Sequence, residues 1–363
     1  TTISGFVDTS AVWNPGTGNA NPAPYGFNAG KQDGFNLDQV DIKISKAMET
    51  GKWSAGYVAE ISYGPDASAI DGGSGAYPIR QAYVDLGVPV GNGLELKVGR
   101  WDNIIGYEAP DPVNNPNWTH SYAWTMEPTE HTGLLASYSF ADWINLKVGA
   151  ADTLTTGAVN SRVASAGPPV ESKKTVVSLL TLTAPDSWGW IKGSSFYLGC
   201  DHGQGVYGRD QTDWYTGATL NTPVKDLTLG GTIDEIQHSD VGGFDAGSFT
   251  SFVGYASYKL TEKLTFSGRA EYDQGNSLGA AADASNLPGG YAGGTPANPL
   301  NEVFALTGTL QYDLWANVIT RLEVRWDHAA NGQDAFGGNG ALGTALPDKK
   351  NEVMFAANVI YKF

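Results

Sequence analysis

Read in steps of two, the chain separates into long stretches in which apolar and polar residues alternate. In QVDIKIS, Val40, Ile42 and Ile44 alternate with Gln39, Asp41, Lys43 and Ser45. In LTFSGRAEYD, Leu264, Phe266, Ala270 and Tyr272 alternate with Thr265, Ser267, Arg269, Glu271 and Asp273. VITRLEVRWD places Val318, Thr320, Leu322, Val324 and Trp326 against Arg321, Glu323, Arg325 and Asp327. The last stretch, NEVMFAANVIYKF (351–363), splits into Val353, Phe355, Ala357, Val359, Tyr361 and Phe363 against Glu352, Met354, Ala356, Asn358, Ile360 and Lys362. A period of two puts the two sets on opposite faces of a β-sheet. No apolar run approaches the roughly 18 residues of a membrane helix.

Alternation alone fits two architectures. A soluble sandwich turns its apolar face to a core, whereas an outer-membrane barrel turns it to lipid and its charged face to the lumen. Strand length separates them, because globular strands usually run about 5–6 residues and a tilted membrane-spanning strand about 9–11. The strands here are long. The connections also alternate between short and long. Short turns fall at 49–52, 89–93, 141–143, 185–189, 223–226, 261–263 and 315–317. Long loops fall near 14–34, 65–77, 105–131, 154–174, 203–211, 239–247, 274–301 and 328–349. These connections predict an all-β fold: a transmembrane antiparallel up-and-down barrel of about sixteen strands, with short periplasmic turns and long extracellular loops. Closure requires the last strand to pair with residues 2–13.

Composition sharpens this picture. The 363 residues include 47 Gly, 11 Trp, 17 Tyr and 13 Phe, and only 17% are charged. An ordinary soluble domain carries about 25% charged residues. Trp13, Trp53, Tyr57, Trp143, Trp214, Tyr258, Trp315 and Tyr361 sit on the lipid-facing parity or at adjoining turns, where interfacial girdles form. A net charge of −16 argues against nucleic acid as a partner. The single cysteine, Cys200, excludes an intrachain disulfide and any cysteine-based zinc cage. It shares parity with Phe196 and Leu198 and is expected to face lipid. The opening TTISGFVDTSAVW already alternates, which fits a chain whose leader has been removed.

One region carries a family likeness. The stretch 79–111, with QAYVDL, PVGNGLELKVGRW and IGYE, and the stretch 127–152, with HTGLLASYS, resemble the OmpL-like β-barrel porin family. The resemblance implies a single barrel domain over 1–363, a place in the bacterial outer membrane, and a diffusion channel with no enzymatic activity. By analogy with barrels of this size it implies a homotrimer among lipid and lipopolysaccharide. The terminal Phe363 resembles the C-terminal aromatic that the barrel-assembly machinery reads.

In general porins the third long loop folds inward, and 105–131 is the third long loop here. It is rich in Pro, Asn and aromatics, hence compact, and is the candidate constriction, carrying Glu108, Asp111, Glu127 and Glu130. Lumen parity places Lys43, Lys97, Lys147, Arg269, Arg321 and Arg325 on the wall facing it. Two arrangements stay open. Carboxylates across from a basic wall would set up a transverse field; alternatively the arginines pair locally with Glu271, Asp273, Glu323 and Asp327. Arg80 and Arg100 fall on the lipid parity, which is costly for a charge, so each is expected near a strand end or a bulge.

The expected activity is passive diffusion of small hydrophilic solutes and ions, with a mild cation preference from the acidic total. A channel specific for sugars or small organic acids would need an aromatic ladder in the lumen, where parity offers Tyr83 and Tyr197. A barrel sheathing an electron-transfer partner is disfavoured, since the chain has no C-x-x-C-H haem site. GQGVYG (203–208) matches a dinucleotide fingerprint without the βαβ context that gives it meaning. YLGC (197–200) lies mid-chain, where a lipidation signal cannot operate. The five histidines lack metal-ligand spacing, no serine–histidine pair stands out, and no cofactor is expected. The Asp/Asn/Gly-rich loops 64–75 and 273–286 could bridge Ca²⁺ or Mg²⁺ to lipopolysaccharide phosphates, although solvated loops are the simpler reading.

Overall fold

A computed structural model describes residues 1–15, 34–70, 79–152, 154, 173–204, 210–239, 246–275, 302–338 and 347–363. Sixteen strands form one closed sheet in which each is antiparallel to its chain neighbours and the first pairs with the last. The first half comprises β1 (Thr2–Trp13), β2 (Gly34–Lys46), β3 (Ser54–Tyr63), β4 (Ile79–Val88), β5 (Leu94–Asp102), β6 (Glu130–Ala141), β7 (Ile144–Ala151) and β8 (Thr175–Thr183). The second half comprises β9 (Ser195–Gln204), β10 (Asp210–Asn221), β11 (Leu227–His238), β12 (Gly247–Lys259), β13 (Leu264–Gly275), β14 (Glu302–Trp315), β15 (Val318–Ala329) and β16 (Asn351–Lys362). Two short helices lie in long connections, α1 (Pro65–Ile70) and α2 (Tyr122–Met126).

Alternation translates directly into two faces. Along β15, Leu322 is 64% exposed and Val324 43%, while Arg321, Glu323, Arg325 and Asp327 between them are buried inside. Closure pairs Phe6 with Lys362 and Trp13 with Phe355 across β1 and β16. This removes the open edge that hydrocarbon would not tolerate. Phe363 continues that pairing through reciprocal 3.0 Å backbone bonds with Gly5. Its ring lies so close over Gly5 that a Cβ there would sit 2.7 Å from Cζ, and 2.1 Å from the Asp41 carbonyl oxygen.

One turn is longer than its sequence suggests. The connection expected at 185–189 runs from 184 to 194 and contains a 3-10 segment, Asp186–Ile191, with Trp188 and Trp190 exposed. Gly189 at φ +67° lets that segment reverse direction and present both indoles outward. The long connections place 14 and 15, but not 16–33, among the described residues, and much of the loops near 65–77, 154–174, 203–211, 239–247, 274–301 and 328–349 also lies outside them.

Candidate functional site

The connection from β5 to β6 is described throughout and runs inside the barrel. Its ends leave the wall together, because Asn103 N–H donates to the Thr129 carbonyl at 2.8 Å. Local chemistry then makes it compact. Asn115 donates to the Ala109 carbonyl at 2.6 Å and accepts from the Ala109 amide at 2.8 Å, closing a small ring around the 3-10 segment Pro112–Asn114. Ser121 caps α2 by accepting from the Trp124 amide at 3.2 Å.

Charged side chains of the wall hold this loop from several sides. Arg269 on β13 donates to Glu108 at 2.9 Å, to the Thr119 carbonyl at 2.6 Å and to the His120 carbonyl at 3.0 Å. Arg325 on β15 donates to the His120 carbonyl at 2.6 Å and lies over the Tyr122 ring at 5.1 Å. Arg321 donates to the carbonyls of Pro112 at 2.9 Å and Asn115 at 2.8 Å. Carboxylates of the same strands take the loop's amides. Glu323 accepts from Trp118 N–H at 2.6 Å and Thr119 N–H at 2.9 Å, and Glu271 accepts from Tyr122 N–H at 2.7 Å. Charge-assisted bonds of this kind are about twice as strong as neutral ones.

The remaining anchor points are on other walls. Arg80 pairs with Asp111 of the loop, with Asp102 at 2.8 Å and with Glu60 at 3.3 Å. It reaches the lumen because it is the extra residue of a bulge: Gln81 pairs with Glu60 and Ile79 with Ile61, leaving Arg80 between them. Arg100 also turns inward, beside Gly99 at φ +134°, and meets Glu130 at 3.5 Å. Apolar contacts complete the docking. Trp118 and Tyr122 pack with Val12, Val303, Ala305, Met354 and Ala356 on the inner faces of β1, β14 and β16. Ile105 packs with Leu179 and Tyr215, and Ala123 with Val253 and Tyr255.

Arg269, Arg321 and Arg325 therefore do not stand across open water from an acidic loop, as a transverse-field arrangement requires. All three touch the loop; Arg269 also pairs on its own strand with Glu271 at 2.6 Å and Arg325 with Asp327 at 2.9 Å, while Arg321 donates to Gln311 of β14 at 3.0 Å. The reason is physical: a buried loop exposes carbonyls that need donors, and a guanidinium supplies five in a fixed fork. The lysines are placed differently. Lys43 pairs with Glu60 at 3.1 Å, Lys97 lies 4.0 Å over the Tyr83 ring with Asp85 opposite it in register, and Lys147 faces Ser137. Glu130 is the first residue of β6, where it accepts from the Thr129 hydroxyl at 2.6 Å.

Two loop carboxyls behave oppositely. Burial pushes Glu108 up, but Arg269, His120 at 3.1 Å and the Ser121 amide at 2.9 Å outweigh it and hold the carboxyl at about 2. Burial lowers His120, and Glu108 only partly offsets that. Glu127 is raised well above its ordinary range by burial and by Asp234, Glu108 and Asp213, and its carboxyl is hydrogen-bonded to that of Asp234. Two carboxyls can share a hydrogen bond only if one keeps its proton.

Parity reading missed several contributors. Glu271 and Glu323 were legible as lumen-facing acids but not as acceptors for loop amides. Tyr215 and Tyr255 also point inward and are buried, in addition to Tyr83 and Tyr197. In DQTDWYTGATLN the adjacent Trp214 and Tyr215 give both parities an aromatic, so alternation could not choose between them. Tyr107 of the loop stacks on Tyr255 at 4.1 Å between ring centres.

Beneath the loop, toward the short-turn rim, a cavity of about 590 Å³ remains. Tyr107, Tyr197, Tyr215, Thr219, Ser257 and Gln311 are among the residues that line it. Among the described residues, one carboxylate group brings ligand atoms within 4.8 Å of one another, Asp41, Glu60 and Asp111. Arg80 and Lys43 already supply its positive charge. Of the loops considered for divalent cations, 64–75 is described only to residue 70, and 273–286 only to residue 275.

The whole chain, residues 1–363, matches the family described as "Putative beta-barrel porin-2, OmpL-like". No curated protein sequence matches it. Among solved structures it is similar to an anion-selective porin from Comamonas acidovorans, with 13% identity and a TM-score of 0.63, covering 100% of this chain and 99% of that one. The outer-membrane channel DcaP of Acinetobacter baumannii is similar at 12% identity and a TM-score of 0.61, covering 100% and 96%. OmpT of Vibrio cholerae in its trimer form gives 12% identity and a TM-score of 0.58, covering 100% and 98%. At such identities the likeness is one of fold.

Proposed function

The chain belongs to the OmpL-like β-barrel porin family of the bacterial outer membrane, and from that premise we propose that it forms a narrow water-filled channel for passive diffusion of small hydrophilic solutes and ions. The observation that carries this reading is the β5–β6 loop, held inside a sixteen-strand barrel by Arg80, Arg269, Arg321 and Arg325. A sixteen-strand barrel is wide enough for an aqueous channel, and a loop fixed in it by charged bonds reduces the bore to a set size. Diffusion of this kind needs no catalytic group and no cofactor.

We assign a mild cation preference to the channel. The net charge is −16, and of the guanidiniums that would favour anions, Arg269 and Arg325 are paired with carboxylates and Arg321 is turned to loop carbonyls. Charges farther than about 8–10 Å from the path are screened, so the lining residues dominate. A homotrimer is the expected assembly, in keeping with the trimer form of the similar OmpT. Phe363, held against Gly5 by reciprocal backbone bonds, fits a role as the signal read by the barrel-assembly machinery.

The test is the purified protein in a planar bilayer under a KCl gradient. A steady current with a reversal potential on the cation side supports the reading. Anion preference overturns the selectivity, and a barrel that passes no current overturns the channel.

A further inference from the structure

The cavity under the loop differs in chemistry from the rest of the lumen. Above it the interior is crowded with charge, but here the lining is aromatic, hydroxyl and amide. Tyr197 and Tyr215 contribute rings from β9 and β10, and Tyr107 contributes one from the loop. Thr219, Ser257 and Thr265 contribute hydroxyls from strand ends near the short turns. Among the described residues, Arg321 is the one charged side chain in this lining. Its guanidinium is turned to the loop carbonyls of Pro112 and Asn115 and to Gln311 Oε1 at 3.0 Å, and Asp8, Glu323 and Asp313 answer its charge.

This combination discriminates among solute classes. A carboxylate or phosphate entering the cavity would lose water and meet a cation already satisfied by other groups. A purely apolar solute would strip water from lining hydroxyls such as those of Tyr197 and Thr265 without replacing its hydrogen bonds. An uncharged, polyhydroxylated solute satisfies both demands, since its C–H faces lie on aromatic rings while its hydroxyls exchange hydrogen bonds with the Thr, Ser and Tyr hydroxyls of the lining. The volume of about 590 Å³ falls within the roughly 300–1,000 Å³ of small-molecule sites. We propose that the cavity beneath the loop is a binding station for a neutral saccharide of mono- to disaccharide size, on the path of the solutes that the channel passes. The proposal rests on the channel reading above and names the solute class for it.

The experiment uses the purified full-length protein in planar bilayers, with sucrose as the probe. Polyethylene glycol of matching hydrodynamic size controls for viscosity, and potassium glutamate represents small acids. Sucrose is expected to block the KCl current in a saturable way that neither control reproduces. Tyr197→Ala is expected to raise the half-blocking concentration about tenfold. Thr265→Val, which removes one hydroxyl and keeps the volume, is expected to raise it roughly threefold to tenfold. Leu322→Ala on the outer face should leave it unchanged. A KCl current with no sucrose-specific block overturns the saccharide station and leaves the channel standing. So does block by glutamate at lower concentration than by sucrose, or block that survives both lining substitutions in folded, conducting protein. No KCl current overturns both.

Discussion

Arg269→Ala is the sharpest perturbation of the loop's attachment. In the native protein Arg269 has a fully buried side chain and joins Glu108 at 2.9 Å, Glu271 at 2.6 Å and the carbonyls of Thr119 and His120. Its loss leaves two buried carboxylates without their main counter-charge. Removing one partner of a buried ion pair typically costs about 3–5 kcal/mol. The barrel itself is closed by sixteen strand pairings and should persist, so the cost falls on the loop. The readout is hydrogen exchange at the amides of Ser121 and Tyr122, which donate to Glu108 and Glu271 at 2.9 and 2.7 Å. A local loss of about 3 kcal/mol corresponds to exchange faster by roughly two orders of magnitude. Strand amides in β13 and β14 should keep their protection. The pair Arg269→Met with Glu108→Gln should recover part of the lost protection, because it neutralises one of the two buried carboxylates that Arg269 served. Unchanged exchange at Ser121 and Tyr122 in folded Arg269→Ala would show that Arg269 does not hold the loop in place.

Other outcomes follow from the same contacts. Glu108 is held at about 2 against its ordinary 4.5, so its contribution of about 3 kcal/mol is present above pH ~4.5 and is lost as pH falls toward ~2; the protection factor of the Ser121 amide, taken against intrinsic exchange at each pH, should fall down that range, and an unchanged protection factor would contradict it. Glu127 has the opposite sign: its raised folded value makes its contribution complete below its unfolded value and lost as pH rises through the folded one. Glu127→Gln should therefore remove alkaline loosening of the loop's C-terminal arm, measured by limited proteolysis against pH. Deleting Phe363, or Gly5→Val beneath its ring, should lower the yield of inserted barrel while the barrels that do insert conduct normally; normal insertion of both variants would contradict an assembly role.

Most of the barrel was legible because its two solvents leave a period-two imprint on every strand. Leu322 and Val324 against Arg321 and Glu323 suffice to orient β15. The inward loop was less legible, since its partners are far apart in the chain. Yet one trace of it was present. The lumen-facing set of the last strand includes Met354, Ala356 and Ile360, which a water-filled bore does not require and which are buried in the structure. Met354 and Ala356 lie against Trp118 and Tyr122 of the loop. Arg80 was readable as misplaced on the lipid parity, and the bulge explains it, but its four carboxylate neighbours come from four different segments. The arginines of β13 and β15 were assigned to the right face. Their role was not visible, because alternation says which way a side chain points and not what has folded in to meet it.

The inward β5–β6 loop is expected to narrow an open channel. Single-channel conductance of the full-length protein, compared with a variant in which 109–126 is replaced by a short Gly/Ser linker, tests it most directly. The native protein should show a stable conducting state and the variant a larger one. Equal conductances, or a native barrel that passes no ions, would contradict it.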